Sequence, residues 1–375
     1  MEHKLRIKTL YVHVKETASP LLKHMQQAHP DCEVIPVKAN TYTWDPKHGN
    51  VSGDYKDHFR EKYNKAALLH RAAKWTPDPN GNSTDFLPGL MMTQGCGFGC
   101  TYCYTERHYV NNYPKLFADV YNIVGMIQYT MDNISSLRDK MLSLTHRDFE
   151  RYRDPQHGDW ITFDLGCDSD CVLDNQLTAH AGWHGHVVDI MNRVSQINGA
   201  KTSFATKSAA FDDIIAGTVR PSHHRIRLSL MPEHHRRVLE ISTAPTIDRL
   251  YAVNKLVAHG FEVHINLSPI VVTDNHVEEY RDLLTLIDNT LTPQAKAQMA
   301  YEVIYLTHTE KQLSMVEAYA PKANNMMVHG SLPLVPKPNK KHVLSYSSQD
   351  KKWLKSKLRD MVAEITPYSR IRYCY

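Results

Sequence analysis

The chain predicts an α/β fold: an incomplete parallel barrel of the (β/α)6 type, with an α/β lead-in before it and an extension after it. Two observations predict this. Short apolar runs alternate with amphipathic helical stretches along most of the 375 residues, and repeated β-α units of that size build a parallel sheet flanked by helices. The residues that carry chemistry also gather where predicted strands end, the position that reactive groups take in parallel barrels.

The elements follow in order. Leu10, Val12 and Val14 alternate, Leu21, Leu22, Met25 and Ala28 recur at helical spacing, and Val34-Ile35-Pro36-Val37 is a short apolar run. Residues 9–37 therefore predict strand, helix, strand. Residues 40–85 are polar and rich in Asp, Asn, Gly and Pro, which predicts loops with one helical piece near 60–73. An apolar run from Phe86 to Met92 precedes a cysteine-rich loop. Further strands are predicted at 161–165, 202–206, 226–230, 261–267 and 302–306. His186, Val187, Ile190, Met191 and Val194 share one helical face. Thr246 is the predicted cap of a helix carrying Leu250, Val253 and Val257, and Gly260 is its stop. Residues 331–341 read as a proline-rich connection, followed by a helix over 348–364 and a strand-like Ile371-Arg372-Tyr373.

Composition narrows the class. With 42% apolar and 22% charged residues, the chain is neither collagen-like nor disordered. No stretch reaches the roughly 18 apolar residues of a membrane span, and the charged N-terminus lacks a signal-peptide core. The expectation is a cytoplasmic protein with no membrane association. From Lys337 onward ten basic residues face three acidic ones, so this tail carries +7 and the remainder −3 of a net +4. Such a tail suits either a polyanionic partner or a solvated helix face. The histidine pairs His184/His186, His223/His224 and His234/His235 read as surface residues, because adjacent histidines rarely share one ion and no zincin spacing appears.

Seven cysteines, an odd number, argue against a disulfide framework. Three fall in Cys96-Gly97-Phe98-Gly99-Cys100-Thr101-Tyr102-Cys103. Close thiolates on a loop can wrap a soft metal centre, and Gly97 and Gly99 let the loop turn tightly. Three ligands are one short of a closed zinc site. Zinc would need a fourth, for which His108 is the candidate, whereas a four-iron cluster would keep one iron open.

This spacing resembles the signature of the radical S-adenosylmethionine enzymes. Within them, Cys100-Thr101-Tyr102-Cys103-Tyr104 is similar to the two-tyrosine loop of the spore photoproduct lyase family, and Cys167-Asp168-Ser169-Asp170 to its Cys-Thr-Ser-Asp segment. Phe204 to Lys207, Arg227 to Ser229, Ser268 to Ile270 and Glu302 to Ile304 fall in the family's order. The loop residues Gly-Phe-Gly depart from the family's usual ones, and residues 40–85 and 130–158 look longer or more polar than expected.

The resemblance implies a radical SAM partial barrel over 88–310, preceded by an α/β extension over 1–87 and followed by a basic extension over 311–375. It implies a [4Fe-4S] cluster on Cys96, Cys100 and Cys103, and S-adenosyl-L-methionine contacted by Ser169, Lys207, Ser229 and, more weakly, Ser268. A carboxylate does want a cation such as Lys207 and hydroxyl donors. It implies a DNA repair lyase that cleaves the C–C bond of a thymine-dimer lesion through a 5′-deoxyadenosyl radical. Cys167 would be the hydrogen-atom donor, and Tyr102 and Tyr104 would return the hydrogen toward the cofactor. The implied partners are lesion-bearing DNA and an electron donor such as flavodoxin or ferredoxin, with the basic tail and aromatics such as Tyr373 holding the strand. Cys171 has no assignment beyond a second thiol near the site or packing. Two rivals stand beside this reading: a relative that modifies or rearranges a nucleobase, and a non-enzymatic, metal-stabilised nucleic-acid-binding module.

Overall fold

Alternation decides the architecture. In Arg225-Ile226-Arg227-Leu228-Ser229-Leu230 every second residue is apolar, and a strand places successive side chains on opposite faces. Both faces of this strand are buried. One face must therefore meet helices and the other a polar interior, the arrangement of a barrel strand.

The computed structural model describes residues 5–38, 64–70, 87–88, 93–103, 113–135, 160–166, 168–338 and 340–374. The chain starts with β1 (Thr9–His13), α1 (Pro20–Ala28), β2 (Glu33–Val37) and β3 (Lys65–Leu69). Next, β4 (Leu87–Pro88) forms the edge of a second sheet, while β5 (Thr93–Gln94) and β6 (Lys115–Phe117) return to the first. The first sheet has the order β2-β1-β3-β6-β5, parallel except for the β5–β6 pair. Residues 65–69 were expected to be helical and are a strand. The segment Lys-Ala-Ala-Leu-Leu has helical propensity, but Ala66 to Leu69 are all buried beside β1, and that burial outweighs local preference.

The second sheet is the barrel. After α2 (Asn122–Asp132) come β7 (Ile161–Asp164), α3 (Cys171–Gln176), α4 (His186–Val194), β8 (Ala200–Thr206) and α5 (Asp212–Gly217). Then follow β9 (His224–Leu230), α6 (Glu233–Leu239), α7 (Thr246–Ala258), β10 (Glu262–Ile270), α8 (His276–Thr290), α9 (Pro293–Gln298) and β11 (Ala300–Tyr305). The strands β4, β7, β8, β9, β10 and β11 lie side by side in chain order, all parallel. This is the expected incomplete barrel of six strands.

The extension holds β12 (Thr307–Thr309), α10 (Glu310–Tyr319), α11 (Pro321–Val328), β13 (Val335–Lys337), β14 (Lys340–Ser345), α12 (Ser348–Ile365) and β15 (Arg370–Cys374). The proline-rich connection at 331–341 holds β13 and the start of β14; the two form an antiparallel hairpin, and β14 pairs with β12 in a three-stranded sheet. β15 joins β11 in parallel as a seventh strand of the larger sheet.

The outer face of the barrel is an apolar core. Ile226, Leu228, Leu230, Val263, Ile265 and Leu267 are buried with Leu250, Val253 and Leu256 of α7, which lies over β9 and β10. Each such side chain contributes roughly 1.5–3 kcal/mol on burial. The inner face is charged. Lys201 and Arg225 pair with Glu262, and Arg227 bridges Asp164 and Glu302. Burial alone would raise the Glu302 carboxyl, but Arg227, a hydrogen bond from His264 and Arg372 hold it well below the usual carboxylate range.

Three expectations are corrected. Thr246 is the first residue of α7 rather than its cap, and its hydroxyl donates to Met231 O at 3.0 Å. Gly260 does stop that helix, at φ +85°. One histidine of each pair is core rather than surface: His186, His224 and His235 are buried. Tyr373 does not face a nucleic-acid strand. It is buried, and its hydroxyl donates to Glu302 at 2.6 Å. Among the described residues no helix is long and apolar enough to cross a membrane.

Candidate active site

The cysteine loop is positioned by backbone bonds from three directions. Gly95 N donates to Asp168 O at 3.1 Å, Thr101 N to Leu239 O at 2.9 Å and Ser242 N to Phe98 O at 3.2 Å. From the extension, Gln312 Nε2 donates to Cys103 O at 2.8 Å. Gly99 adopts φ +64°, which L-residues with side chains rarely take, so glycine is needed there. Gly97, expected to share that role, is absent from the positive-φ glycines, and Gly95 (φ +81°) is among them.

Cys96, Cys100 and Cys103 pack around Phe98, Leu173 and Tyr102. No disulfide involves them. Burial is the main force raising the thiols of Cys96 and Cys100. Asp170 adds to it at Cys96 and Glu240 at Cys100, and Cys103 raises both. Uncompensated thiolates are therefore costly here, and cations are what offset them. Three soft donors on one loop suit iron, so the donor set fits a [4Fe-4S] cluster held by these three residues.

One cation is part of the chain. Lys207 follows β8, and its Nζ lies 5.7 Å from the centroid of the Tyr102 ring. Burial would lower the Lys207 ammonium, but Glu240 and Cys100 raise it, so it stays charged. Its backbone N donates to Asp170 Oδ2 at 3.0 Å. Asp170 Oδ1 accepts from Val172 N at 3.1 Å, Leu173 N at 3.3 Å and Thr206 Oγ1 at 2.9 Å. Asp170 thus caps α3 and ties the end of β7 to the end of β8.

The deepest anchor is Glu240, just past α6. It accepts the phenol of Tyr102, and its Oε2 is 2.5 Å from Arg249 Nη2 and 3.1 Å from Thr243 Oγ1. Arg249 also donates to Ser229 O at 2.6 Å and to Ala244 O at 2.8 Å. Burial would raise Glu240, but Arg249 and Lys207 lower it, so it remains ionised. Tyr102 is raised well above an ordinary phenol, by burial first and then by Cys100 and Glu240, so it stays protonated.

The structure brings Cys96, Cys100, Cys103, Tyr102 and Lys207 together. Ser229 joins them through Arg249 and lies in register with Asn266. Ser169 lies on the loop after β7 and donates to Asp174 Oδ2 at 2.6 Å, leaving Oδ1 of that buried carboxyl without a hydrogen-bond partner. Ser268 sits near the end of β10, just past the Leu267–Leu230 register pair. Cys171 is fully buried at the start of α3, and a side-chain Cβ at Gly166 would stand 2.9 Å from its Sγ. Cys167, Tyr104 and His108 lie outside the described residues. Sequence reasoning missed Glu240 and Arg249. No periodicity marks them, because their partners come together only in the fold.

A family model for spore photoproduct lyase matches residues 78–375. The chain belongs to the spore photoproduct lyase family. A curated relative, the spore photoproduct lyase of Bacillus subtilis (strain 168), is 21% identical over 276 residues, covering 73% of this chain and 71% of the relative. Among solved structures, a variant of spore photoproduct lyase aligns with TM-score 0.76, and spore photoproduct lyase complexed with dinucleoside spore photoproduct with 0.74. A further variant with bound AdoMet and dinucleoside spore photoproduct aligns with 0.73. Each is 16% identical, over 99% of this chain and 100% of the other. At that identity the likeness to these structures is one of fold, and it supports the family's barrel architecture here.

Proposed function

We propose that this chain is a radical S-adenosylmethionine DNA repair lyase that cleaves the C–C bond of a spore-photoproduct-type thymine lesion. Family membership, together with a half-buried lysine whose ammonium feels the Cys100 and Cys103 thiols, carries this reading. Cys96, Cys100 and Cys103 would hold the cluster, and Lys207, Ser169, Ser229 and Ser268 the S-adenosylmethionine. Bound together, these two groups supply a 5′-deoxyadenosyl radical, and the protein's part is orientation and exclusion of side reactions.

Lys207 neutralises a carboxylate at a half-buried position, where a charge pair is stronger than in bulk solvent. Tyr102, protonated and fixed by Glu240, keeps an O–H beside the cysteine loop. Cys167 gives a hydrogen atom to the product radical, since its S–H bond is weak, and Tyr104 acts with Tyr102 in returning hydrogen. The substrate is lesion-bearing DNA, and the lesion must leave the stack to be reached. The exposed Lys340 on the β13–β14 hairpin and Lys352, Lys357 and Arg359 on α12 offer phosphate contacts. A low-potential donor such as flavodoxin or ferredoxin supplies the electron. The absence of disulfides among the described cysteines suits a reducing cytoplasm.

The test is anaerobic incubation of the iron-loaded protein with dinucleotide spore photoproduct, S-adenosylmethionine and dithionite, followed by mass analysis. Thymine dinucleotide and 5′-deoxyadenosine are expected together. Zinc without iron in the purified protein, or 5′-deoxyadenosine with an untouched lesion, would remove the reading.

A further inference from the structure

Outside the cysteine loop, the described residues hold a cluster of possible metal ligands where α6 meets α8. Adjacent histidines rarely share one ion, but the Nε2 atoms of His234 and His235 on α6 both reach the carboxylate of Glu279 on α8, which overturns the expectation at this pair. His234 Nε2 is 2.8 Å from Glu279 Oε1, and His235 Nε2 is 3.0 Å from Glu279 Oε2. One ligand atom from each of the three lies within 4.8 Å of the others. The carboxylate is fixed from behind, because Thr273 Oγ1 donates to Glu279 Oε2 at 2.5 Å. Carboxylates that ligate metals are commonly oriented by such partners.

His235 is the decisive residue. It is completely buried; its Nδ1 has no hydrogen-bond partner, and its Nε2 faces Glu279. A neutral imidazole offers a lone pair, the form that binds metals. The other charged groups on α6 are engaged elsewhere: Glu233 pairs with Arg236 and Arg237. The Tyr280 ring lies against His235 edge-on, at 6.2 Å. His234 is half exposed, so the cluster opens to water on that side, and Thr273 also lines a cleft of about 540 Å³.

We propose that His234, His235 and Glu279 form a binding site for a divalent first-row transition-metal ion of the zinc class, with water completing the coordination. Two imidazoles and a carboxylate are a known zinc donor set, and borderline ions prefer it over calcium or magnesium. The ion joins α6 to α8. α6 ends one residue before Glu240, the anchor of Tyr102, so the metal braces the segment that supports the cysteine loop. The site is separate from the cluster and does not depend on the repair chemistry.

The test uses the iron-loaded protein, equilibrated with zinc chloride and desalted, with iron and zinc measured by mass spectrometry. About one zinc per chain beside the full iron content is expected, with only nitrogen and oxygen neighbours in zinc-edge absorption. Zinc should also raise the thermal midpoint in proportion to the logarithm of its concentration. His234→Ala, on a half-exposed side chain that leaves the core intact, should lose the zinc and the thermal shift while keeping its iron. Glu279→Gln should do the same. Failure of the unaltered protein to retain zinc, sulfur in the zinc shell, or undiminished zinc in His234→Ala would overturn the site.

Discussion

The phenol of Tyr102 donates to Glu240, a carboxylate 138 residues further along the chain. Through Arg249 that carboxylate also reaches the backbone of Ser229. The cysteine loop, the segment after α6 and the end of β9 thereby share one buried ion pair. Removing one partner of such a pair leaves an unpaired charge and costs about 3–5 kcal/mol. Glu240→Gln is expected to lose stability in that range in anaerobic urea denaturation. Its iron content should fall too, because the loop that carries the ligands loses its support. Full stability would show that Arg249 is neutralised by another group.

Lys207 is a half-buried cation whose charge is supported by Glu240 and the Cys100 thiol. If it holds the cofactor's carboxylate, Lys207→Met removes a charged hydrogen bond worth about 1.5–3 kcal/mol, or roughly ten- to a hundredfold in affinity. The expected outcome is a KM for S-adenosylmethionine raised by that factor, with the iron content unchanged. 5′-Deoxyadenosine formation reads the first and metal analysis the second. An unaltered KM would move the carboxylate contact to another residue.

Two cysteines separate cofactor cleavage from product control. Cys100 is buried on the ligand loop, so Cys100→Ala is expected to abolish both iron binding and 5′-deoxyadenosine. Cys167→Ala is expected to keep cofactor cleavage and give abnormal thymine products. A normal product distribution from Cys167→Ala would take that thiol out of the reaction.

The parts of this molecule legible in the sequence are those written in local pattern. The alternation in residues 225–230 marked a barrel strand, and the spacing of Cys96, Cys100 and Cys103 marked a metal loop, because both signals lie within a few residues. Glu240 and Arg249 carried no such mark, since their roles depend on the chain bringing Tyr102 and Ser229 to them. The histidine pairs failed for a related reason. Composition places histidine at the surface on average, but the face of the helix or strand on which each residue falls decides which of a pair turns inward, as at the surface-facing His234 and the buried His235 of α6. Lys65 to Leu69 misled because a short apolar run fits helix or strand until its partner β1 is known.

Buried imidazoles give a pH dependence with a definite sign. Burial pushes His186 and His224 down to about 3. Each stays neutral in the folded state, while the unfolded chain takes up a proton near 6.5. Their contribution is therefore complete above pH 6.5 and is lost as pH falls from there toward 3. The slope is about 1.4 kcal/mol per pH unit for each group. Asp174 acts oppositely: burial raises its carboxyl well above the usual range, so its share is complete below that range and is lost as pH rises from there toward the raised value. The comparison of unaltered protein with His186→Leu isolates one imidazole. Urea denaturation between pH 6.5 and 4.5 should be flatter in the variant by that slope, and parallel curves would mean that His186 is protonated in the fold.

Tyr373 and Lys340 belong to the same basic extension and should behave in opposite ways. The Tyr373 hydroxyl donates to buried Glu302 at 2.6 Å, whereas Lys340 is exposed on β14. Tyr373→Phe removes a hydrogen bond to a buried carboxylate, which costs about 1.5–3 kcal/mol. Arg372 and Arg227 still hold Glu302, so the variant should fold. Its urea midpoint should drop while its affinity for duplex DNA and the salt dependence of that affinity stay unchanged. Lys340→Ala should leave the midpoint alone and weaken DNA binding, with the slope of log affinity against log salt smaller by about 1. Weaker DNA binding by a stable Tyr373→Phe would mean that the phenol turns outward on the complex and that β15 leaves the sheet when DNA binds.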